Sequence, residues 1–149
     1  MSKKYAMPSF LEGAVTSEAY ERWLIRKAAA HVKRDRKRGR KCTGSAYRVA
    51  IHQAVVTSEG KDAYTGEKLD WRLISTYNNE DSKKGRRAYK ALFALLPSVE
   101  HVDAEATETR FKICAWRTND AKSDLSLESF LDLCQRVLAH AGYFVERRD

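Results

Sequence analysis

Residues 97–122 read PSVEHVDAEATETRFKICAWRTNDAK, and the pattern of this stretch indicates how the second half of the chain folds. Segments 98–103 and 111–116 alternate in polarity and carry β-branched and aromatic residues, which favours two strands. The polar, acidic segment 104–110 between them is typical of a hairpin loop. After the second strand the chain is expected to turn at Thr118 and Asn119. The predicted order is strand, strand, helix.

The helix of this unit is expected to run from about Ser126 to Gly142. Ser126 is a good N-cap, because its hydroxyl can accept a hydrogen bond from a backbone N–H of the first turn. Apolar residues then recur at helical spacing, which predicts a buried stripe. Its members are Phe130, Cys134, Val137, Leu138 and Ala141.

The N-terminal part, residues 16–58, predicts two helices with a basic connection. Thr16 or Ser17 can cap the first helix, and a second is expected from Ser45 to Val56. The apolar stripe of the first helix is Tyr20, Trp23, Leu24, Ala28 and His31. The stripe of the second is Tyr47, Ala50, Ile51, Ala54 and Val55.

A basic run follows the first stripe, with seven Lys or Arg residues among the nine positions 33–41. It is expected at a helix end and in the connection between helices, where long side chains can reach a phosphate backbone. Contact with phosphate is the functional interpretation, and a solvated charged surface is the alternative. The residues expected to contact phosphate are Arg34, Arg36, Lys37 and Arg38.

The middle of the chain has weaker signals. Residues 58–71 predict a hairpin or tight loop packed by Tyr64 and Trp71. Residues 77–87 are polar and predict an exposed loop, and residues 88–96 predict a short helix that Pro97 ends.

Composition limits the class of protein. The chain has 149 residues with 43% apolar content, which suits one domain spanning 1–149. Lys and Arg number 28 against 20 Asp and Glu, a formal charge of +8 that favours a polyanionic partner. The sequence lacks both an apolar run of about 20 residues and a signal core, which predicts an intracellular, cytoplasmic protein without a membrane span. The three cysteines lack Cys-x-x-Cys spacing, so neither a disulfide framework nor a zinc knuckle is predicted.

The strand, strand, helix unit resembles the HNH endonucleases, whose core is a ββα-metal unit. The resemblance rests on Glu100-His101-Val102 in the first strand and on Asn119-Asp120-Ala121-Lys122 after the second. The family has Asp where this chain has Glu100. The resemblance implies an α+β fold, with the N-terminal helices followed by a ββα-metal nuclease core over residues 97–142.

The resemblance also implies a role for each matching residue. His101 resembles the general base that takes a proton from the attacking water, and Glu100 and Asn119 resemble the cation ligands. Lys122 matches a lysine expected to contact phosphate. Oxygen ligands favour Mg²⁺ or Mn²⁺, and the cation would neutralise a phosphate oxygen during hydrolysis of DNA. Adjacent residues of a flat strand point to opposite faces, so spacing alone does not decide whether Glu100 and His101 converge.

Two other functions fit the same sequence. The chain could be a DNA-binding module that keeps the scaffold and lacks catalysis, or an interaction domain whose basic surface meets an acidic protein. Neither the choice between DNA and RNA nor the oligomeric state follows from the sequence.

Overall fold

Two long helices precede a two-stranded antiparallel sheet and two further helices in the computed structural model, which describes residues 5–76, 91–102 and 110–148. The fold class is therefore α+β, as expected. The chain forms two compact units, Met1–Asn119 and Asp120–Asp149. The predicted nuclease core of residues 97–142 includes parts of both units.

The predicted helical pair is confirmed. Helix α1 spans Ser17–Lys37, and the Thr16 side chain accepts a 3.1 Å hydrogen bond from the Ala19 N–H. Helix α2 spans Gly44–Ser58 and begins after a similar cap by Thr43. The predicted stripe of α1 is buried in full, and it extends one turn further to Asp35.

The predicted hairpin strands are also confirmed. Strand β1 spans Pro97–Val102 and strand β2 spans Arg110–Ala115, with Glu100 opposite Lys112 and His101 opposite Phe111. The predicted hairpin loop lies largely outside the described residues, and so do the predicted loop 77–87 and the first residues of the predicted helix 88–96.

The predicted turn at Thr118 and Asn119 is wrong. Helix α3, Trp116–Lys122, begins directly after β2 and includes both residues. Tertiary hydrogen bonds hold its start: the Trp116 N–H donates to the Leu96 carbonyl at 2.8 Å, and the Arg117 N–H donates to the Ala94 carbonyl at 3.2 Å. These partners lie about twenty positions away in the chain, so a local pattern cannot reveal them.

Helix α4 spans Leu127–His140, and its predicted cap is confirmed because Ser126 accepts a 3.1 Å hydrogen bond from the Ser129 N–H. The predicted burial of its stripe is wrong, since no residue of α4 is buried. Val137, for example, is 59% exposed. A unit of this length is too short to enclose a core of its own.

The core of the first unit lies between α1, α2 and the hairpin. Trp23 of α1 meets Trp71 edge to face, with ring centroids 5.4 Å apart. Ile51 of α2 and Ile113 of β2 are also fully buried. Burial of such an aliphatic side chain contributes roughly 1.5–3 kcal/mol. The core therefore fixes the hairpin against both long helices.

The segment between α2 and the hairpin forms a tight loop, as predicted. Lys61 and Lys68 pair in an isolated antiparallel bridge, and a short 3₁₀ helix follows at Trp71–Ser75. Trp71 is buried and Tyr64 is half-buried. Within the described part of the chain, no helix combines the length and apolar content that crossing a bilayer requires.

Candidate functional site

Glu100 and His101 lie on opposite faces of the hairpin. Successive side chains of a strand alternate between the two faces, and the contacts of these residues follow that alternation. His101 approaches Asp35 of α1, whereas Glu100 accepts a hydrogen bond from the Tyr64 hydroxyl in the 61–68 loop. The structure therefore does not bring the two predicted active-site neighbours together.

His101 lies in a buried polar cluster beneath the basic run. Its Nδ1 atom is 2.9 Å from Oδ2 of Asp35, and the two side chains are 8% and 2% exposed. The ring is not aligned for a directional hydrogen bond to the carboxylate, so the contact is mainly electrostatic. The Tyr47 hydroxyl donates to the same Asp35 oxygen at 2.5 Å. Asp35 thus joins both long helices to the histidine.

The second nitrogen of His101 faces Arg40. The distance from Nε2 to the Arg40 guanidinium is 3.3 Å. A guanidinium can only donate, so Nε2 accepts and the proton of the neutral ring resides on Nδ1, facing Asp35. Burial lowers the pKa of His101 below its ordinary value, and Arg40 lowers it further, while Asp35 opposes both. The imidazole is therefore neutral at neutral pH.

A second histidine adjoins this cluster. His31 of α1 donates from Nε2 to the Val99 carbonyl at 3.1 Å, and its ring centroid is 6.3 Å from that of His101. Burial lowers the pKa of His31 to about 4. His31 therefore stays uncharged and ties α1 to β1.

The predicted cation ligands share the other face of the hairpin. Asn119 of α3 donates from Nδ2 to the Ser98 hydroxyl at 3.1 Å, and Ser98 lies two residues before Glu100 on the same face of β1. The structure thus places Asn119 beside the strand that carries Glu100, away from His101. Carboxylate and amide oxygens suit a hard cation. Among the described residues, no group of three or more His, Cys, Asp or Glu side chains could hold a metal ion.

Lys122 and the basic run have different surroundings. Lys122 is buried, and its Nζ donates to the Leu125 carbonyl within the second unit. Its phosphate contact stays a prediction. In the basic run, Arg34, Arg36, Lys37 and Arg38 are all exposed, and Arg36 also donates from Nε and Nη2 to the Cys42 carbonyl at 3.2 and 2.9 Å. Arg36 therefore closes the connection between α1 and α2.

The sequence interpretation did not include Asp35, although a signal for it existed. Asp35 follows His31 by one helical turn and continues the buried stripe of α1, and it is the only acid in the run 33–41. An acid on the core-facing stripe of a basic helix indicates a buried partner.

Asp62 was also missed, and it holds the scaffold of the site together. Its Oδ1 accepts from the N–H groups of Tyr64 and Thr65, and its Oδ2 accepts from the Ala115 N–H and the Thr118 hydroxyl at 2.9 and 2.7 Å. Burial alone would raise the pKa of Asp62, but these hydrogen bonds hold it below its ordinary value. The carboxylate therefore fastens the 61–68 loop to the junction of β2 and α3.

No family model, curated protein or solved structure matches the chain.

Proposed function

We propose that this chain is a metal-dependent endonuclease of the HNH type, which hydrolyses phosphodiester bonds in DNA. The observation that supports this most is the position of His101, between the Asp35 carboxylate at 2.9 Å and the Arg40 guanidinium at 3.3 Å. A neutral imidazole beside a carboxylate and beneath a basic surface has the parts that water activation at a phosphate needs.

His101 is the general base in this proposal. Its lone pair is on Nε2, where it accepts a proton from the attacking water. Asp35 keeps the ring proton on Nδ1 and stabilises the imidazolium that forms. A base of this kind contributes typically about 10²–10⁴-fold to the rate.

Arg40 binds the scissile phosphate in this proposal. In the absence of substrate its guanidinium lies against Nε2 of His101. A phosphodiester offers a stronger, charged acceptor than a neutral imidazole does, so the guanidinium exchanges to the phosphate and uncovers the base. The exposed Arg34, Lys37 and Arg38 lead the DNA backbone toward it.

The proposed cation is Mg²⁺ or Mn²⁺, with Glu100 and Asn119 as ligands. When bound, such a cation supplies charge neutralisation at a phosphate oxygen. The oxygens of Glu100 and Asn119 suit such an ion, but they lie on the hairpin face opposite His101, so the proposed base and the proposed ligands do not meet at one phosphate in this structure. In this proposal the chain's own residues that activate the water and bind the phosphate are His101, Asp35 and Arg40.

Plasmid nicking tests the base. Wild type is expected to nick supercoiled plasmid with Mn²⁺ or Mg²⁺, and His101→Ala is expected to lose about 100-fold or more of that rate while still binding DNA. His140→Ala is the matched control, because His140 is exposed on α4. Cleavage by His101→Ala within about threefold of wild type would reject His101 as the base.

Calorimetry with Mn²⁺ tests the ligands. Glu100→Ala and Asn119→Ala are each expected to weaken binding of the ion, because each removes a hard oxygen donor. Glu128→Ala controls for loss of one carboxylate from an exposed helix. Unchanged affinity in both site variants would move the metal site elsewhere.

A catalytically inactive DNA-binding module is the second candidate. The placement of Glu100 and His101 on opposite faces favours it, since a nuclease needs base and cation at one phosphate. A pure binder would shift DNA in EDTA and leave plasmid intact with every divalent cation.

A further inference from the structure

A cavity of about 860 Å³ lies within the first unit, beside α1 and the start of β1. Its volume is in the range of small-molecule sites. The lining side chains that bear on its chemistry are Arg22, Arg26, Lys27, Ser98, Trp116 and Asn119. It is separate from the His101 cluster, although Asn119 belongs both to this lining and to the proposed cation ligands.

The cavity has an uncompensated positive charge. Arg22, Arg26 and Lys27 lie on one side of α1, since residues four apart share a helix face. No Asp or Glu is among the described lining residues, and no ion pair to the three cations occurs in the part of the chain that the structure describes. Three cations gathered without a counter-charge destabilise one another, and an anion in the cavity would relieve that.

Burial strengthens this electrostatic argument. Burial lowers the pKa of Lys27, and Arg26 and Arg34 lower it further. A lysine in such surroundings lacks both the solvation and the carboxylate that normally stabilise its charge. A bound anion would supply the missing stabilisation.

Neutral donors complete the lining. Ser98 and Asn119, which carry a hydroxyl and a side-chain amide, line the cavity. The half-buried Trp116 also gives the cavity apolar surface on which a nucleobase can stack.

We propose that this cavity binds one phosphate-bearing nucleotide unit of a nucleic-acid strand. Several donors and positive charges match the oxygens of a phosphate, and the remaining volume accommodates the sugar and base. The choice of a strand, as opposed to a free nucleotide, rests on the proposed nuclease function. The phosphate chemistry itself rests on Arg22, Arg26 and Lys27.

Fluorescence anisotropy in EDTA tests the proposal without cleavage. The probe is a short fluorescein-labelled oligothymidylate, titrated with the full chain at several KCl concentrations. The variant with Arg22→Ser, Arg26→Ser and Lys27→Ser is expected to bind about tenfold or more weakly. Its slope of log K against log salt is expected to flatten by about 0.7 for each lost phosphate contact.

A matched variant separates the cavity from general charge. Lys68→Ser, Arg147→Ser and Arg148→Ser together also remove three positive charges, and all three residues are exposed outside the cavity. This variant is expected to stay within about twofold of wild type. Equal weakening by both triple variants would overturn the proposal. Should the cavity variant lose its wild-type circular dichroism, single Arg26→Ser and Lys27→Ser variants take its place under the same criterion.

A competition measurement identifies the ligand. Thymidine 5′-monophosphate and inorganic phosphate are expected to compete only weakly. Tighter binding of the mononucleotide than of the strand would identify a free nucleotide as the ligand and overturn the strand assignment.

The outcomes also separate this proposal from the nuclease function. Strand binding that depends on the cavity, together with no nicking under any metal condition, would reject the nuclease alone. Metal-dependent nicking with no effect of the cavity variant on strand binding would reject the cavity proposal alone.

Discussion

The two faces of the β1–β2 hairpin place neighbouring residues in different surroundings. His101 faces α1 and α2, where it meets Asp35 and Tyr47 inside the core. Glu100 faces the 61–68 loop, where it accepts from Tyr64, and the Lys112 ammonium lies 5.2 Å from the centre of the Tyr64 ring. Side chains alternate between the two faces at every residue of a strand. Glu100 and His101 therefore face different surroundings, although they are neighbours in the sequence.

The faces also differ in how charge is balanced. On the His101 face a single carboxylate, Asp35, serves both Tyr47 and His101, and burial lowers the pKa of both His31 and His101. On the Glu100 face the strand neighbour is Lys112, and burial followed by Glu100 raises the pKa of Tyr64. A change on the His101 face should therefore cost more stability than one on the Glu100 face.

The largest effect is expected from Asp35→Ala. Removing Asp35 leaves two buried donors, the Tyr47 hydroxyl and the His101 Nδ1–H, without an acceptor, and each such donor costs about 1–3 kcal/mol. Urea unfolding at neutral pH should show a loss of about that size, together with loss of nicking. Asp132→Ala is the control, since its pair with Arg136 is exposed on α4, and it should unfold close to wild type. A loss below about 1 kcal/mol in Asp35→Ala would remove the distinction between the faces.

The next effect is the pH dependence that His31 confers. Its folded pKa of about 4 lies below the unfolded value of 6.5, so the folded state favours the neutral ring. This stabilisation is complete above pH 6.5 and is lost as pH falls toward 4. At about 1.4 kcal/mol per pKa unit, it amounts to roughly 3–4 kcal/mol.

His31→Gln tests this dependence, because glutamine can still donate to the Val99 carbonyl without titrating. Urea midpoints measured from pH 7 down to 4 should fall less steeply in the variant than in wild type. His140→Gln, on an exposed helix position, should follow wild type. Parallel curves for His31→Gln and wild type would contradict the burial argument.

A smaller effect is expected on the Glu100 face. Tyr64→Phe removes the hydroxyl that donates to Glu100 and should cost about 1 kcal/mol, the usual net value of one hydrogen bond. Tyr143→Phe, at an exposed position in the second unit, is the control. A loss in Tyr64→Phe as large as that in Asp35→Ala would mean that the two faces contribute alike.

The sequence predicted the elements whose signals are local. The caps at Thr16 and Ser126, the stripe of α1 and the two strands depend on residues within a few positions of each other, and the structure confirms them. The helical state of Thr118 escaped prediction because Asp62, fifty-six positions earlier, accepts from its hydroxyl. The apolar residues of α4 recur at the helical spacing that predicts a buried stripe. The spacing does not reveal whether another element packs against that stripe.

The candidate site could be predicted only in part for a similar reason. The motif identified His101, whereas its partner Asp35 comes from another helix and its contact is a product of packing. The face of each strand residue follows from alternation, but which face meets which helix depends on the core. Residue roles carried over by resemblance therefore need the geometry of the whole unit before they define one site.

The smallest effect on stability is expected in the basic run above the His101 face. Arg34, Lys37 and Arg38 are exposed, so changing all three to Ser should alter the free energy of unfolding by less than about 0.5 kcal/mol per site. If they follow a phosphate backbone, duplex DNA binding should weaken across all sequences, and the slope of log K against log salt should flatten by about 0.9 per lost contact. Arg36→Ser is the contrast: it should cost about 1 kcal/mol of stability, because it loses the hydrogen bonds to the Cys42 carbonyl. An unchanged salt slope in the triple variant would mean that these residues do not contact the phosphate backbone. The residues that bring DNA to His101 would then have to be others.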